Sequence, residues 1–281
     1  MPGERLDTLL VLRGEFESRE KARAAVLAGL VLVDGIPQAR PGARVREGAH
    51  LEVKRPAHPY VGRGGLKLEA ALDRFGVEAR DRVALDAGAS TGGFTDVLLR
   101  RGARLVYAVD VGYGQLDWRL RTDPRVVVME RTNLRLLDPA SLPEPPGLVT
   151  LDLSFISLGK VLGVVSRALA PGGEVLALVK PQFEAGRAKV GKGGVVRDPR
   201  VHRAVLAEVA REASLAGLGV VGVSHSPLRG PKGNLEFWLH LAGGGDGGPA
   251  TTVPGDLEAA IEAAVVEAHR VLGREGGDAT R

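Results

Sequence analysis

The stretch Arg82–Thr95, Arg-Val-Ala-Leu-Asp-Ala-Gly-Ala-Ser-Thr-Gly-Gly-Phe-Thr, joins an apolar run to a loop of small residues. Val83–Leu85 reads as a buried strand, and Phe94, Val97 and Leu98 mark the apolar face of a helix that follows. Strand, glycine loop and helix in that order open a nucleotide-sized site at the carboxyl edge of an α/β sheet. Glycine there lets backbone approach a ligand closely. The spacing Gly88, Gly92, Gly93 does not give the dinucleotide fingerprint, and Phe94 stands where a phosphate-cradling loop needs its lysine. What fits is an acid at Asp86 before the loop and a second acid, Asp110, at the end of the next strand, in reach of a ribose diol. That pattern suits S-adenosylmethionine (SAM), whose sulfonium and amino acid need no phosphate cradle. The candidate cofactor residues of this stretch are Asp86, Gly88, Ser90, Thr91, Gly92 and Gly93, with Asp110.

Four polar residues at strand ends or helix starts carry the second part of the chemistry. Asp152 ends the run Thr150–Asp152, Lys180 ends Leu178–Lys180, Glu236 opens Glu236–Trp238, and Lys67 lies near the start of a helix. Pro181 directly after Lys180 stops the strand and places Lys180 at its carboxyl edge. Neighbouring carboxyl edges converge on one crevice in a doubly wound sheet, so Asp152, Lys180 and the glycine loop are expected to meet. The reaction these groups suit is methyl transfer to a hydroxyl. A ribose 2′-OH is a very weak acid and must lose its proton as it attacks the sulfonium carbon. Lys180, beside a second cation in a dry site, serves as the base, and Lys67 is that cation and steadies the developing alkoxide. Asp152 orients Lys180 and lies near the sulfonium, and Glu236 positions Lys67 or the ribose. An Asp–Lys pair of this kind can also be merely structural. No metal is required.

The elements that must hold these residues alternate along the chain. Strands are expected at Leu105–Val111, Arg125–Met129, Leu148–Leu153, Gly173–Lys180, Gly219–Ser226 and Leu235–Leu241, and helices at Gly93–Arg101, Gln115–Arg121, Leu158–Ala170 and Asp198–Ala216. The alternation predicts an α/β fold with a doubly wound, mainly parallel sheet. Seven strands with a final hairpin-like pair is the Rossmann-like arrangement of SAM-dependent methyltransferases. Arg63–Phe75 reads as a helix packed on this unit. Residues 243–281 divide into a Gly/Asp-rich linker to 256 and an amphipathic acidic helix, Leu257–Leu272, with no evident task.

Residues 1–55 read as a small separate α+β unit, with helices at Arg5–Arg13 and Ser18–Ala28 and strands at Val31–Val33 and Leu51–Val53. Arg19, Lys21 and Arg23 crowd the start of the second helix, as a phosphate-binding helix would, although a solvated face looks the same. Residues 56–62, within the proline-containing stretch 54–62, read as an interdomain linker.

Composition narrows the classes. The chain has no cysteine, which removes disulfides, thiolate metal sites and cysteine-based or iron–sulfur methylation. Its six histidines are scattered without metal-ligand spacing. No apolar run is long enough for a membrane span, and the N-terminus has no apolar signal region, so the expected location is cytoplasmic. The net charge is +4, with a basic body and an acidic C-terminal segment, a moderate match to a polyanionic partner. Gly186–Gly193 imitates a phosphate loop, but Gly193 replaces the required Ser or Thr. Its Lys189 and Lys192, with Arg63, are instead candidates for RNA contact.

The order Arg5-Leu6-Asp7, Ser18-Arg19, Val31–Gly35, Pro41-Gly42 and Val45 resembles the S4-type RNA-binding domain, which implies binding of structured RNA and adds Arg5 to the RNA candidates. Asp86–Thr95, Val111-Gly-Tyr-Gly-Gln115, Glu130-Arg-Thr-Asn133, Asp152-Leu-Ser-Phe-Ile-Ser157, Val179-Lys-Pro-Gln-Phe-Glu184 and Gly193-Gly-Val-Val-Arg-Asp198 resemble the TlyA (hemolysin A-like) rRNA 2′-O-methyltransferases. So does the pairing of an S4-type domain with an FtsJ-like methyltransferase domain, here 63–242. The resemblance implies SAM as cofactor, with Phe94 and Asn133 added to its contacts, and a Lys67-Asp152-Lys180-Glu236 tetrad. It further implies methylation of cytidine 2′-hydroxyls in 16S or 23S rRNA, with ribosomal RNA or subunits as partners. The alternatives are a base-amine RNA methyltransferase and a non-enzymatic assembly factor. The first lacks the two prolines expected after Asp152 and has no need of two lysines, and the second has no need of an intact tetrad. A pore-forming role, suggested by the hemolysin name, lacks a long apolar segment.

Overall fold

The computed structural model describes residues 3–16, 18–46, 48–54, 58–244 and 256–273. These belong to two compact units that divide between Pro59 and Tyr60. The first unit runs β1 (Glu4–Arg5), α1 (Leu6–Leu12), α2 (Arg19–Leu27), β2 (Val31–Val33), β3 (Ile36–Pro37), β4 (Arg44–Val45) and β5 (Leu51–Val53). Ser18 caps α2 by accepting from the Lys21 N–H at 3.3 Å. Leu6, Leu10, Ala22, Val26, Val31 and Val45 close into a core of the unit's own. β2 and β3 are joined by Asp34-Gly35 with φ of 51° and 80°, the two left-handed positions that a tight hairpin turn needs. Strands β1, β3 and β4 have two residues each, too few to show alternation, which is why their pattern is not visible in the sequence.

The second unit opens with α3 (Gly64–Phe75) and continues β6 (Val83–Ala87), α4 (Gly93–Arg100), β7 (Leu105–Val109), α5 (Trp118–Arg121), β8 (Val126–Met129), β9 (Leu148–Leu151), α6 (Gly159–Ala168), β10 (Glu174–Val179), α7 (Pro181–Glu184), α8 (Pro199–Leu215), β11 (Leu218–His225), β12 (Phe237–Gly243) and α9 (Leu257–Leu272). Its seven strands form one sheet in the order β11-β12-β10-β9-β6-β7-β8. The pairs β10–β9, β9–β6, β6–β7 and β7–β8 are parallel, and β12 runs antiparallel to both its neighbours. Along β6 the side chains alternate between two cores. Val83, Leu85 and Ala87 pack with α6, α8 and α9, whereas Ala84 packs with α3, α4 and α5. Helices thus cover both faces of the sheet. α5 is shorter than the expected Gln115–Arg121, because the Asp117 side chain accepts from the Arg119 N–H and starts the helix there.

Tyr60 and Val61, expected to be linker, are part of the second unit. Tyr60 is buried, and the Val61 N–H donates to Asp96 at 3.0 Å. Residues 55–57 of that stretch and 245–255 of the Gly/Asp-rich one lie outside the described residues. Helix α9 has a clear place. Ile261, Val265, Ala268 and Leu272 complete the core face formed by α8 and the sheet, and Arg203 pairs with Glu262 at 2.7 Å.

Between α8 and α9 stand two histidines. His202 Nδ1 lies 3.0 Å from His269 Nε2, and His202 Nε2 lies 3.2 Å from the Val196 carbonyl. The carbonyl can only accept, so Nε2 carries the proton and Nδ1 accepts from His269. Burial, then the neighbouring His269, pushes His202 down to about 4. A histidine of the unfolded chain titrates near 6.5, so between these values the unfolded state binds more protons. The contact's contribution is therefore complete above about pH 6.5 and is lost as pH falls toward 4, at roughly 1.4 kcal/mol per pH unit. Urea unfolding at pH 7 and pH 5 checks this, and equal stability at both would refute it.

Candidate functional site

The sheet register assembles the site. Ala87 of β6 and Ala177 of β10 both pair with Leu151 of β9, and Val179 of β10 pairs with Phe237 of β12. Just beyond these positions the strands end in Gly88, Asp152 and Lys180. β12 is antiparallel, so its first residues reach the same edge, and Glu236 directly precedes the strand there. Pro181 cannot donate to a ladder and opens α7, which ends β10 at this point.

Two ion pairs stand on this edge, one buried and one with a buried lysine and a partly exposed carboxylate. Lys67 comes from the face of α3 that buries Leu68, Ala71 and Leu72. It is 6 % exposed and its Nζ lies 2.5 Å from Oε2 of Glu236, itself 1 % exposed. Lys180 Nζ lies 2.6 Å from Asp152 Oδ1 and donates to the Ser154 hydroxyl at 3.0 Å. The approach to Oδ1 is off the hydrogen-bonding direction, so that contact is one of charge, and the aligned bond goes to Ser154. Removing such charges from water costs several kcal/mol per ion, about what a good pairing returns. Two such pairs side by side are a weak device for stability and a suitable one for handling a proton and a developing charge.

Beside the pairs lies a cavity of about 490 Å³, bordered by Gly88, Ser90, Asp110, Asn133, Asp152 and Phe155, within the size range of small-molecule and cofactor sites. Ser90 has a left-handed φ of 49° and its N–H donates to Asp110 Oδ2 at 2.8 Å, while the Gly112 N–H donates to Oδ1 at 2.6 Å. These bonds hold the Asp110 carboxylate at the rim with a lone pair on each oxygen to spare. Gly88 has φ 88°, and a Cβ there would meet the Asp152 carbonyl at 2.5 Å. Gly88→Ala is expected to cost about 1–3 kcal/mol in urea unfolding by pushing strands β6 and β9 apart.

Other residues of the loop stand away from the cavity. Asp86 is fully buried, and its two oxygens accept from the Thr95 hydroxyl at 2.7 Å and the Thr150 hydroxyl at 3.3 Å. Burial, opposed by Thr95 and reinforced by the Asp152 charge, pushes its carboxyl up to about 7. It holds the loop from beneath. Gly92, at φ 97°, leaves room for Leu116 and Leu120. A Cβ on Gly93 would lie 3.1 Å from the backbone of Gly65, so this glycine seats α4 against α3. Phe94 is a core residue, its ring 5.8 Å from that of Trp238. Thr91 is exposed and faces Gly62. Among the described residues, no group of His, Asp or Glu is placed to hold a metal ion, and no helix is long and apolar enough to cross a membrane.

The basic residues separate into groups. In the first unit, Arg5 and Arg19 converge on the buried Asp7, at 2.9 and 3.2 Å, with about half of each side chain still exposed. The two guanidiniums, Arg5 first, hold Asp7 well below the usual carboxylate range. Lys21 and Arg23 are exposed on α2. In the second unit, Lys189 and Lys192 are exposed on the loop after α7, and Arg63 donates to the Arg229 carbonyl at 2.6 Å. Ser154 was absent from the sequence-derived candidates, because it lies in the irregular segment just past β9, where no periodicity marks it.

Comparison with known proteins agrees with this architecture. The family profile for FtsJ-like methyltransferases matches residues 60–242, and that for the S4 domain matches residues 4–51. The chain is 49 % identical over 276 residues to YqxC of Bacillus subtilis, which carries a provisional rRNA methyltransferase name, covering 98 % of this chain and 97 % of that one. It is 48 % identical over 238 residues to the 16S/23S rRNA (cytidine-2′-O)-methyltransferase TlyA of Mycobacterium tuberculosis, covering 84 % of this chain and 89 % of that one. A solved structure from Streptococcus thermophilus, under a hemolysin name, superimposes with a TM-score of 0.73 at 43 % identity and covers 97 % of this chain and 98 % of its own. With the S4 domain, the strand order and the relatives in agreement, this chain belongs to the FtsJ-like methyltransferases, among the S4-bearing members that include TlyA.

Proposed function

We propose that this chain transfers a methyl group from SAM to the 2′-hydroxyl of cytidine in 16S or 23S ribosomal RNA, in the cytoplasm, with free RNA or a ribosomal subunit as the second substrate. The observation that carries this reading is the two buried lysines, each set against a carboxylate, on the strand edge beside the cavity. The cavity suits SAM in size and donor set, with Asp110 for the ribose diol, the backbone at Gly88 and Ser90 for close approach, and Asn133 at the rim. Bound there, SAM supplies an electrophilic methyl carbon on a sulfonium sulfur.

Lys180 takes the proton of the attacking 2′-hydroxyl, held for this by Ser154 and by the charge of Asp152. Lys67, fixed by Glu236, offsets the negative charge that grows on the ribose oxygen. The depth of both lysines keeps bulk water from competing for that charge. The S4 unit supplies affinity for structured RNA through Arg5, Arg19, Lys21 and Arg23, and Arg63, Lys189 and Lys192 guide the strand toward the cavity. Replacing Arg19, Lys21 and Arg23 together by Glu is expected to weaken RNA binding by more than tenfold at fixed salt while leaving SAM affinity unchanged, as filter binding and calorimetry would show.

The reading is tested by incubating the protein with labelled SAM and rRNA lacking ribose methylation, then digesting to nucleosides. The expected product is 2′-O-methylcytidine. A base-methylated nucleoside would replace the reading with an amine methyltransferase, and no label at all would make the chain an RNA-binding factor.

A further inference from the structure

We infer that Arg229 is a positioning residue for the Lys67–Glu236 pair, held in place by the end of helix α9; the inference rests on the methyl-transfer reading for its kinetic consequence and on geometry alone for the rest. Arg229 begins the tight turn that precedes β12. The turn is closed by the Gly230 N–H on the Asn234 carbonyl at 2.9 Å and the Gly233 N–H on the Gly230 carbonyl at 2.8 Å. It lies directly on the Glu236 carboxylate, for a Cβ at Gly230 would stand 2.5 Å from Oε1.

The Arg229 side chain spans this turn. One guanidinium nitrogen donates to the Gly233 carbonyl at 3.4 Å, and the other donates to the carbonyl of Leu272, in the last turn of α9. A cation is favoured there by the helix dipole. The Arg229 carbonyl in turn accepts from Arg63, which immediately precedes α3, four residues before Lys67. One residue therefore ties the turn over Glu236, the helix start that carries Lys67 and the closing helix of the core. Its Nε is buried without a hydrogen-bond partner, an arrangement with an energetic cost that favours a role in placement over one in stability alone.

A second link braces the same turn. The Asn234 amide accepts from the Val196 N–H and donates to the Gly194 carbonyl, both at 2.9 Å, and Val196 is the residue held by His202. Loss of Arg229 leaves this brace intact, so the turn stays formed but free to shift over Glu236. A shift of that kind alters the transition-state contact of Lys67 more than it alters binding of either substrate.

The test compares wild type, Arg229→Met and Arg229→Lys in full-length protein. Arg229→Met is expected to lower kcat on rRNA by on the order of 10- to 100-fold, with KM for RNA and Kd for SAM within twofold of wild type. Arg229→Lys, which can still reach the helix end, recovers part of kcat and serves as the folded variant if Arg229→Met does not fold. An NMR measurement independent of catalysis follows the Lys67 ammonium, assigned with Lys67→Arg. Its signal, protected by Glu236 in wild type, is expected to broaden by exchange in Arg229→Met or, failing that, in Arg229→Lys. An unbroadened signal with unchanged kcat overturns the inference, as does a rise in KM alone, which would make Arg229 an RNA contact. If wild type fails to methylate rRNA while the Lys67 signal still responds to Arg229, the functional reading falls and the positioning role stands.

Discussion

Lys180→Met is expected to lower methyl transfer by about 10²–10⁴-fold or more while SAM binds with unchanged affinity. Lys180 stands at a strand end, 8 % exposed, hydrogen-bonded to Ser154 and with the Asp152 charge beside its nitrogen. Methionine keeps most of the apolar body of the side chain and removes the amine, and the Asp152 carboxylate it leaves unpaired is partly exposed to water. The more discriminating variant is Lys180→Arg. It keeps a positive charge opposite Asp152, yet a guanidinium does not give up its proton in a protein and cannot act as a base. If Lys180→Arg is as inactive as Lys180→Met, proton removal is the function of the site. If it retains most of the activity, Lys180 works through its charge, and the base must be sought elsewhere. Single-turnover transfer from labelled SAM, with calorimetry for cofactor binding, separates these outcomes.

The second large effect is on stability. Glu236→Leu leaves Lys67 buried with no counter-charge, which is expected to cost about 3–5 kcal/mol. The double variant Lys67→Met/Glu236→Leu removes both charges and is expected to regain most of that loss in urea unfolding, with no return of activity. A single Glu236→Leu variant as stable as wild type would mean that Lys67 escapes to water when released, and that its burial is not imposed by the packing of α3. The contrast between a stable, inactive double variant and an unstable single one would show that the ion pair is retained for chemistry.

Much of this site was legible because strand ends leave marks in a sequence. Pro181 after Lys180 announces an edge, and alternating strands and helices announce that edges converge. Burial on α3 was not legible. A lysine near a helix start is solvated in most proteins, and only the packing of Leu68 and Leu72 against the sheet carries Lys67 inward. The packing of the glycine loop was not legible either. Small residues beside a strand end suggest ligand contact, and in the structure Asp86, Gly92, Gly93 and Phe94 also seat the loop and its helix from below. Residue type cannot separate these uses, because close approach to a ligand and close approach of two helices demand the same absence of a side chain. The task of α9 was hidden for another reason. Its apolar stripe is plain, but which surface it covers depends on chain folding across residues remote in sequence.

Helix α9 also sets an order of events during synthesis. The S4 unit has every residue of its core once Val53 has emerged, whereas the catalytic unit lacks part of one core face until Leu272 has been added. At ordinary rates of synthesis that interval is roughly 10–40 s. For that time the nascent chain presents a finished S4 unit joined to an unfinished methyltransferase unit. Force-sensing arrest sequences placed after residues 60 and 244 would register folding of the S4 unit alone. Folding of the S4 unit is therefore separated in time from completion of the methyltransferase unit.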